Sequence, residues 1–458
     1  MKNRNFLIGV IFLLVVIICG LCFIVVTRTQ FVEKIKQTLR ECDNYAPLNK
    51  DVKIDSTNLP VIYIETERIQ RENYVTANVK IIREDGSVDY KGNMAIRYRG
   101  HASYYSADKK SYALRPLDTN GEKENVSLLG MKKQKKWVLK GNWIDCSMIR
   151  ESIAYELAKK TEVATPNMRF CEVVLNGIYF GVYVLCEQPT RKMLGISKMK
   201  KDLSGAYLLY FARKKEADFI VGYQYDFGKY VYPFLIKYPD KKDITEEQKT
   251  YLTHRLTTMC EAVSDTTDTL YETYINTLSF IDFQLSTEFS ANTDAYFVSG
   301  YMYKDKDNID GRFHMCLWDG DHSFGMGRNP GYSHYSHWIF QFYEDKDMLH
   351  RFNWWYLLMK NPHYNEILKN RWREFRTGVY SDENVNNVVD SLYTLLTECG
   401  AMERNNRAWS VWTDKGNRVA HPHLKYLSDS FEDEVSYIKN WIGLRLKWMD
   451  EQLLDINE

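Results

Sequence analysis

Apolar and polar positions alternate with a strand-like period in the first part of the chain and change to helical spacing after residue 243. Residues 59–65 and 74–82 alternate in this way, and Asp85-Gly86 supplies a turn behind them. Residues 94–99 and 111–117 read as further strands on either side of a polar loop, RGHASYYSADKK. Met148, Ile149, Ile153, Ala154, Leu157 and Ala158 then form an apolar stripe that predicts a helix over about 147–160, with Asp145 or Ser147 as its cap. Strands at 170–175 and 179–185 follow, joined by Asn176-Gly177, a strong hairpin signal. Thr245 to Gln248 form a capping box for a helix reaching about Val263, and Ser279 opens another running to Phe289. Residues 301–303 and 312–318 predict a β-hairpin around the polar turn 305–311. Ser381 caps a helix ending near Gly400, and a last helix over 431–454 carries Trp441, Leu444, Leu446 and Trp448 as core.

Residues 6–26 form an unbroken apolar run with Lys2 and Arg4 before it and Arg28 after, which is long enough to span a bilayer. No small-residue cleavage site follows it, so the pattern predicts an uncleaved signal anchor with a short cytoplasmic N-terminus and the bulk of the chain outside. Residues 27–57 then read as a polar juxtamembrane stalk. The 458 residues carry 61 basic and 60 acidic side chains, which gives no overall reason to expect nucleic acid as a partner. An aromatic content of 14% and an apolar content of 45% indicate a well-packed globular part. Beyond the apolar run, the cysteines at 42, 146, 171, 186, 260, 316 and 399 show neither CxxC pairs nor zinc spacing, and their odd number does not suggest a full disulfide framework.

The candidate chemistry lies at the two ends of the hairpin. Asp294 precedes its first strand, and Asp319 and Asp321 follow its second. Strand ends of a hairpin lie close together, so these acids should face one cleft, where a hard cation bearing phosphate would relieve their repulsion. The alternative is a set of solvated turns. In the loop RGHASYYSADKK, Arg99, Ser103, Lys109 and Lys110 suit phosphate contacts or make a solvated basic turn. Glu151 and Glu156 on the 147–160 helix can reach a lysine or lie on the surface, and the segment beginning Cys186-Glu187 leaves its strand as a connector that offers groups to an adenine ring. Antiparallel strands, a lysine, a glutamate-bearing helix, a hairpin and a connector follow one another as in the small lobe of a protein-kinase-like fold. The lysine-rich residues 131–136 read as a solvated edge, with recruitment of an acidic substrate as the lesser alternative. Asp305, Asp307 and Asp310 read as a turn rather than a calcium loop, and His334, His337, His421 and His423 as surface or packing residues. The stretch 204–243, rich in tyrosine and lysine, is open between lid, docking surface and packing. No GxSxG elbow or Ser-His-Asp order is present, which weighs against a hydrolase.

The segments RYRGHASYYSADKKSYALRP, WVLKGNWIDCSMIRESIAYELA, VVLNGIYFGVYVLCEQ, NTDAYF and LWDGDHSFG resemble the CotH family, spore-coat-protein-H-like atypical kinases, over roughly residues 58–330. The resemblance implies an α+β, two-lobed, atypical protein-kinase-like fold, with an antiparallel β-rich N-lobe at 58–190 and a mostly helical C-lobe at 191–458 holding the hairpin at 292–327. It implies an extracytoplasmic kinase that moves the γ-phosphoryl group of ATP, with Mg2+ or Mn2+, to Ser or Thr of secreted, surface or spore-coat proteins. Asp294 would be the catalytic acid, Asp319 and Asp321 the metal ligands, Lys110 or else Lys109 the phosphate lysine, and Glu151 or Glu156 its partner. Ser299 stands where kinase catalytic loops carry a metal-binding asparagine, and it offers a weaker oxygen ligand. That departure keeps open a silent binding or adhesion module. The fold also serves AMP transfer or carboxylate activation, and the same acids would serve a phosphoester hydrolase.

Overall fold

The alternating segments close into a barrel. The computed structural model describes residues 48–100, 104–105, 107–199, 203–225, 228–326, 333–344, 354–412 and 428–454. Strands β1 (Val61–Thr66), β2 (Val75–Ile82), β3 (Val88–Arg99), β4 (Ser111–Pro116), β5 (Trp137–Lys140), β6 (Met168–Leu175) and β7 (Ile178–Glu187) run in the order β1-β2-β3-β4-β5-β7-β6. All neighbours pair antiparallel except β1 and β6, whose parallel pairing, Val61 opposite Glu172, closes the ring. Inward positions are apolar: Ile62 and Ile64 on β1, Ala77, Val79 and Ile81 on β2, and Met94 and Ile96 on β3 are buried. Closure leaves these strands no open edge for another chain to join.

Helix α1 (Arg150–Ala158) lies between β5 and β6 in the chain. Of the two proposed caps, Asp145 satisfies its first amide, the Arg150 N–H donating to Asp145 Oδ2 at 2.9 Å, while Ser147 Oγ accepts the Ile149 N–H. A second sheet, ordered β12-β11-β8-β10-β9, is built from β8 (Tyr207–Phe211), β9 (Phe219–Tyr225), β10 (Gly228–Tyr238), β11 (Tyr301–Lys304) and β12 (His314–Cys316). The stretch 204–243 is therefore mainly sheet, and it extends the acidic hairpin β11–β12 sideways through the pairing of Tyr301 with Tyr210. The turn of that hairpin holds a short helix, Asp307–Asp310.

Helices α2 (Glu246–Ser264) and α3 (Thr277–Ser290) follow the second sheet's first three strands. The capping box of α2 is present as predicted, Thr245 with Gln248. α3 is capped by Asn276 rather than opened by Ser279, and stops where Ala291 turns left-handed at φ 49°. Ser381 and Ser430 cap α5 (Asp382–Thr397) and α7 (Phe431–Leu453), with α4 (Pro362–Arg376) before them and α6 (Ala401–Trp409) between. α6 locks onto the barrel. Asn405 Oδ1 accepts the Val182 N–H at 3.0 Å, the Trp409 indole donates to the Phe180 carbonyl at 2.8 Å, and Arg404 clasps Glu172 at 2.9 and 3.0 Å.

Among the described residues no helix is long and apolar enough to cross a membrane. The predicted anchor at 6–26, and the stalk up to residue 47, lie outside the described residues. Cys146, Cys171, Cys186, Cys260, Cys316 and Cys399 are free thiols. Cys42, His421 and His423 are likewise outside the described residues.

Candidate active site

The site begins with a lysine that ends a strand. β5 is buried along its length, and its last residue, Lys140, is 5% exposed. An ammonium in that position must find an acid. It finds Glu151 on the first turn of α1, with Nζ to Oε1 at 2.5 Å, and Asp319 at 3.8 Å. Burial works against the charge of Lys140, but Glu151 and Asp319 outweigh it and hold the ammonium above its ordinary range. The cation also sits 4.4 Å from the ring centre of Trp318.

Glu151 joins this lysine to the acidic loop. Its Oε1 also accepts the Gly320 N–H at 3.0 Å, and the neighbouring Asp319 N–H donates to the Tyr155 hydroxyl at 3.0 Å, so α1 holds the loop at two successive amides. Asp319 itself adopts φ 64°, a left-handed conformation that aspartate tolerates better than most residues. Burial, followed by the charge of Asp319, pushes the Asp321 carboxyl up to about 7. Two carboxylates two residues apart, one of them raised by burial and by the other's charge, are a donor set that a hard divalent cation neutralises, with open positions left for phosphate oxygens. Among the described residues no group of three or more His, Cys, Asp or Glu could hold a metal by itself. The residues present fit a cation shared with phosphate.

Asp294 lies at the other end of the hairpin, 6% exposed. Its carbonyl accepts the amides of Phe297 and Val298 at 2.9 Å and of Ser299 at 3.3 Å, which folds 294–299 into a tight turn. The side chain of Asn292 donates to the Asp319 carbonyl at 3.2 Å and its Oδ1 accepts the Asp294 N–H at 3.1 Å, so one residue ties the two acidic segments together. Tyr210 on β8 feels both segments. After burial, Asp319 and Asp294 both act to keep its phenol protonated, while Arg99 and the hydroxyl of Ser299 pull the other way. The link the structure shows between the opposed acidic segments is Asn292. A cavity lined by Arg99, Lys109, Ser111, Lys140, Asn142, Glu151, Asp319 and Asp321 opens beside the acidic loop, and Asp294 is not part of that lining.

Of the expected lysines, Lys109 lines this cavity, but both bond to groups other than Glu151. Lys110 Nζ donates to the carbonyls of Tyr104 and Ala107, in its own loop. Lys109 Nζ is buried and donates to the Val182 carbonyl and to Asn405 Oδ1 at 2.9 Å, stitching the barrel to α6. Neither pairs with Glu151; Lys140 does. Glu156 faces outward and pairs with Lys159 at 2.5 Å, away from the site. Glu187 is buried and accepts both the backbone and side-chain N–H groups of Asn167, at 3.0 and 2.9 Å, so its carboxylate braces a turn instead of facing the cavity. Ser103 lies outside the described residues. The one signal for Lys140 in the sequence is its place after a short apolar run and before a helical glutamate.

The whole arrangement is braced from below α1. The Arg150 guanidinium reaches Asp145 at 2.7 Å, Glu434 on α7 at 2.6 Å and the carbonyl of Phe324 at 3.4 Å, so α1, the end of the acidic loop and the last helix share one buried cation. A family profile described as CotH kinase protein matches residues 96–449. No curated protein matches the chain.

Proposed function

The chain belongs to the CotH kinase family, and from that premise we propose that it transfers the γ-phosphoryl group of ATP to serine or threonine hydroxyls of other proteins. The observation that carries this reading is the buried Lys140–Glu151 pair set against Asp319 in one cavity. Lys140 takes phosphate oxygens, with its position fixed by Glu151. Arg99, on the same cavity wall, adds a second cation toward phosphate. Asp319 and Asp321 would hold Mg2+ or Mn2+, and that cation would supply neutralisation of phosphoryl charge. Asp294 orients the acceptor hydroxyl and takes its proton. Ser299 supplies a hydroxyl where a carboxamide would bind a second cation more firmly, which favours slow transfer. The lobe boundary near residue 190 and anchoring of the chain through residues 6–26, with the site outside the cytoplasm, belong to the same proposal.

The test is an intact-mass measurement after incubation with ATP and Mn2+ or Mg2+, beside the Asp294→Ala variant. Phosphate-sized additions to the wild type or to an added protein, absent with Asp294→Ala, are the expected result. An AMP-sized addition would replace phosphoryl transfer by nucleotidyl transfer. No addition, together with no metal-dependent ATP binding, would make the chain a silent binding module.

A further inference from the structure

Three rings form a strip that ends at the acidic loop. Tyr210 on β8 and Tyr301 on β11 have centroids 4.8 Å apart, and Tyr301 meets Trp318 edge-on at 6.0 Å. Cations stand over both ends. Lys237 Nζ, on β10, lies 5.2 Å from the Tyr210 centroid, and the Arg99 guanidinium carbon, at the end of β3, lies 5.5 Å from that of Trp318. Lys136 directly precedes β5, where Trp137 pairs with Leu114, so it lies beside Arg115 of β4. The Nε of Arg115 is buried without a hydrogen-bond partner, and its guanidinium lies over Tyr74.

These cations are poorly neutralised. No acidic side chain pairs with Arg99, Lys136 or Lys237 among the described residues. Burial lowers the Lys237 ammonium below its ordinary value, and Lys136 and Arg99 push it further the same way; Asp218 opposes them but is already bound to Lys241 at 2.8 Å. Burial likewise lowers Lys136, with Asp240 opposing and Arg115 and Lys123 adding to the effect. Partly desolvated cations that repel one another destabilise the empty protein and are relieved by a bound anion.

The place of this cluster names the anion. Arg99, Lys140 and the acidic loop line the cavity assigned to the nucleotide, whereas Lys136 and Lys237 lie outside that lining and Lys237 stands over Tyr210, a ring that both Asp319 and Asp294 act on. An acceptor hydroxyl delivered to Asp294 would bring its neighbouring residues along β8 and β10. We propose that Lys237, over Tyr210 on this strip, and Lys136, whose charge acts on Lys237, form an anion subsite that holds acidic side chains of a peptide substrate beside its acceptor hydroxyl. The proposal rests on the kinase reading of the same site.

The experiment measures, by fluorescence anisotropy and without ATP, binding of the full chain to a serine peptide flanked by glutamates and to matched peptides flanked by glutamines or lysines. The glutamate peptide is expected to bind about tenfold more tightly than the glutamine peptide, with the preference fading as salt rises. The Lys136→Ala/Lys237→Ala variant should lose that preference while keeping its Mn-ATP affinity within about twofold, and Lys132→Ala/Lys133→Ala, at exposed positions, should keep the preference. The Lys136→Ala/Lys237→Ala variant should melt no lower than the wild type, which excludes misfolding as the cause. Equal binding of the glutamate and glutamine peptides overturns the subsite. So does a loss of Mn-ATP affinity in Lys136→Ala/Lys237→Ala with unchanged peptide binding, which would give these lysines to the nucleotide. Preference for the acidic peptide without any phosphoryl transfer would support the subsite and overturn the kinase reading alone.

Discussion

Lys140 Nζ stands 2.5 Å from Glu151 Oε1, and the same oxygen accepts the Gly320 N–H at 3.0 Å. One carboxylate thus fixes both the barrel's buried cation and the loop that carries Asp319 and Asp321. Position of α1 and geometry of the acidic loop are therefore a single quantity, set where β5 ends.

Removing only the lysine leaves a buried carboxylate unpaired. Lys140→Met should cost about 3–5 kcal/mol of stability, since truncating one partner of a buried pair exposes the other to uncompensated desolvation. Lys140→Met/Glu151→Leu should recover most of that loss, because an apolar pair of similar size no longer carries a charge to bury. Urea denaturation of the two variants measures the difference, and equal losses would mean that the pair is not buried as described.

Gly181 lies where the barrel meets α6. Its φ is +92°, and a Cβ there would stand 2.3 Å from Asn405 Oδ1, the atom that binds both the Val182 N–H and Lys109. Gly181→Ala should lower stability by about 2 kcal/mol or more, from left-handed strain together with displacement of Asn405. Asn405→Gly in the Gly181→Ala background removes the clash and should add little further loss, which a double-mutant cycle reads directly.

Acid should loosen α7 from α1. Burial alone would raise the Glu434 carboxyl, but Arg150 and Ser428 more than offset it, and the group ends below its ordinary value of 4.5. A depressed carboxyl contributes stability that is present above the unfolded value and lost as pH falls through the folded one. Thermal stability of the wild type should therefore drop below about pH 4.5, and Glu434→Gln, less stable at neutral pH, should show a shallower drop there. Parallel pH profiles for the two proteins would contradict this.

Much of the frame was legible because local chemistry dictated it. Asn176-Gly177 turns between β6 and β7 since both residues accept positive φ, 49° and 75°, and the Thr245–Gln248 box caps α2 with its own side chains. Placing Asp294 and Asp319 on either end of a hairpin followed from strand pairing alone. Lys140 was not legible in the same way. β5 is buried on both faces, so WVLK has no alternation to mark it as a strand, and the lysine run before it reads as solvated edge. Which lysine meets Glu151 is decided by barrel closure, a long-range fact, and Lys109 and Lys110 lost that place to backbone carbonyls near them. Strands β8 to β10 escaped for a related reason, since tyrosines and lysines make an amphipathic surface that reads equally as loop.

The most direct measurement is Mn-dependent ATP affinity, titrated in the wild type, in Lys140→Met/Glu151→Leu, in Lys110→Ala, and in Asp319→Ala and Asp321→Ala separately. The wild type should bind only with metal, the Lys140 variant should lose at least about tenfold, close to 1.4 kcal/mol, and Lys110→Ala should be unchanged. One or both aspartate variants should lose the metal dependence, the stronger loss naming the principal ligand. Unchanged affinity in the Lys140 variant, or full metal-dependent binding retained in both aspartate variants, would contradict the assignment of this cavity to a metal-bound nucleotide.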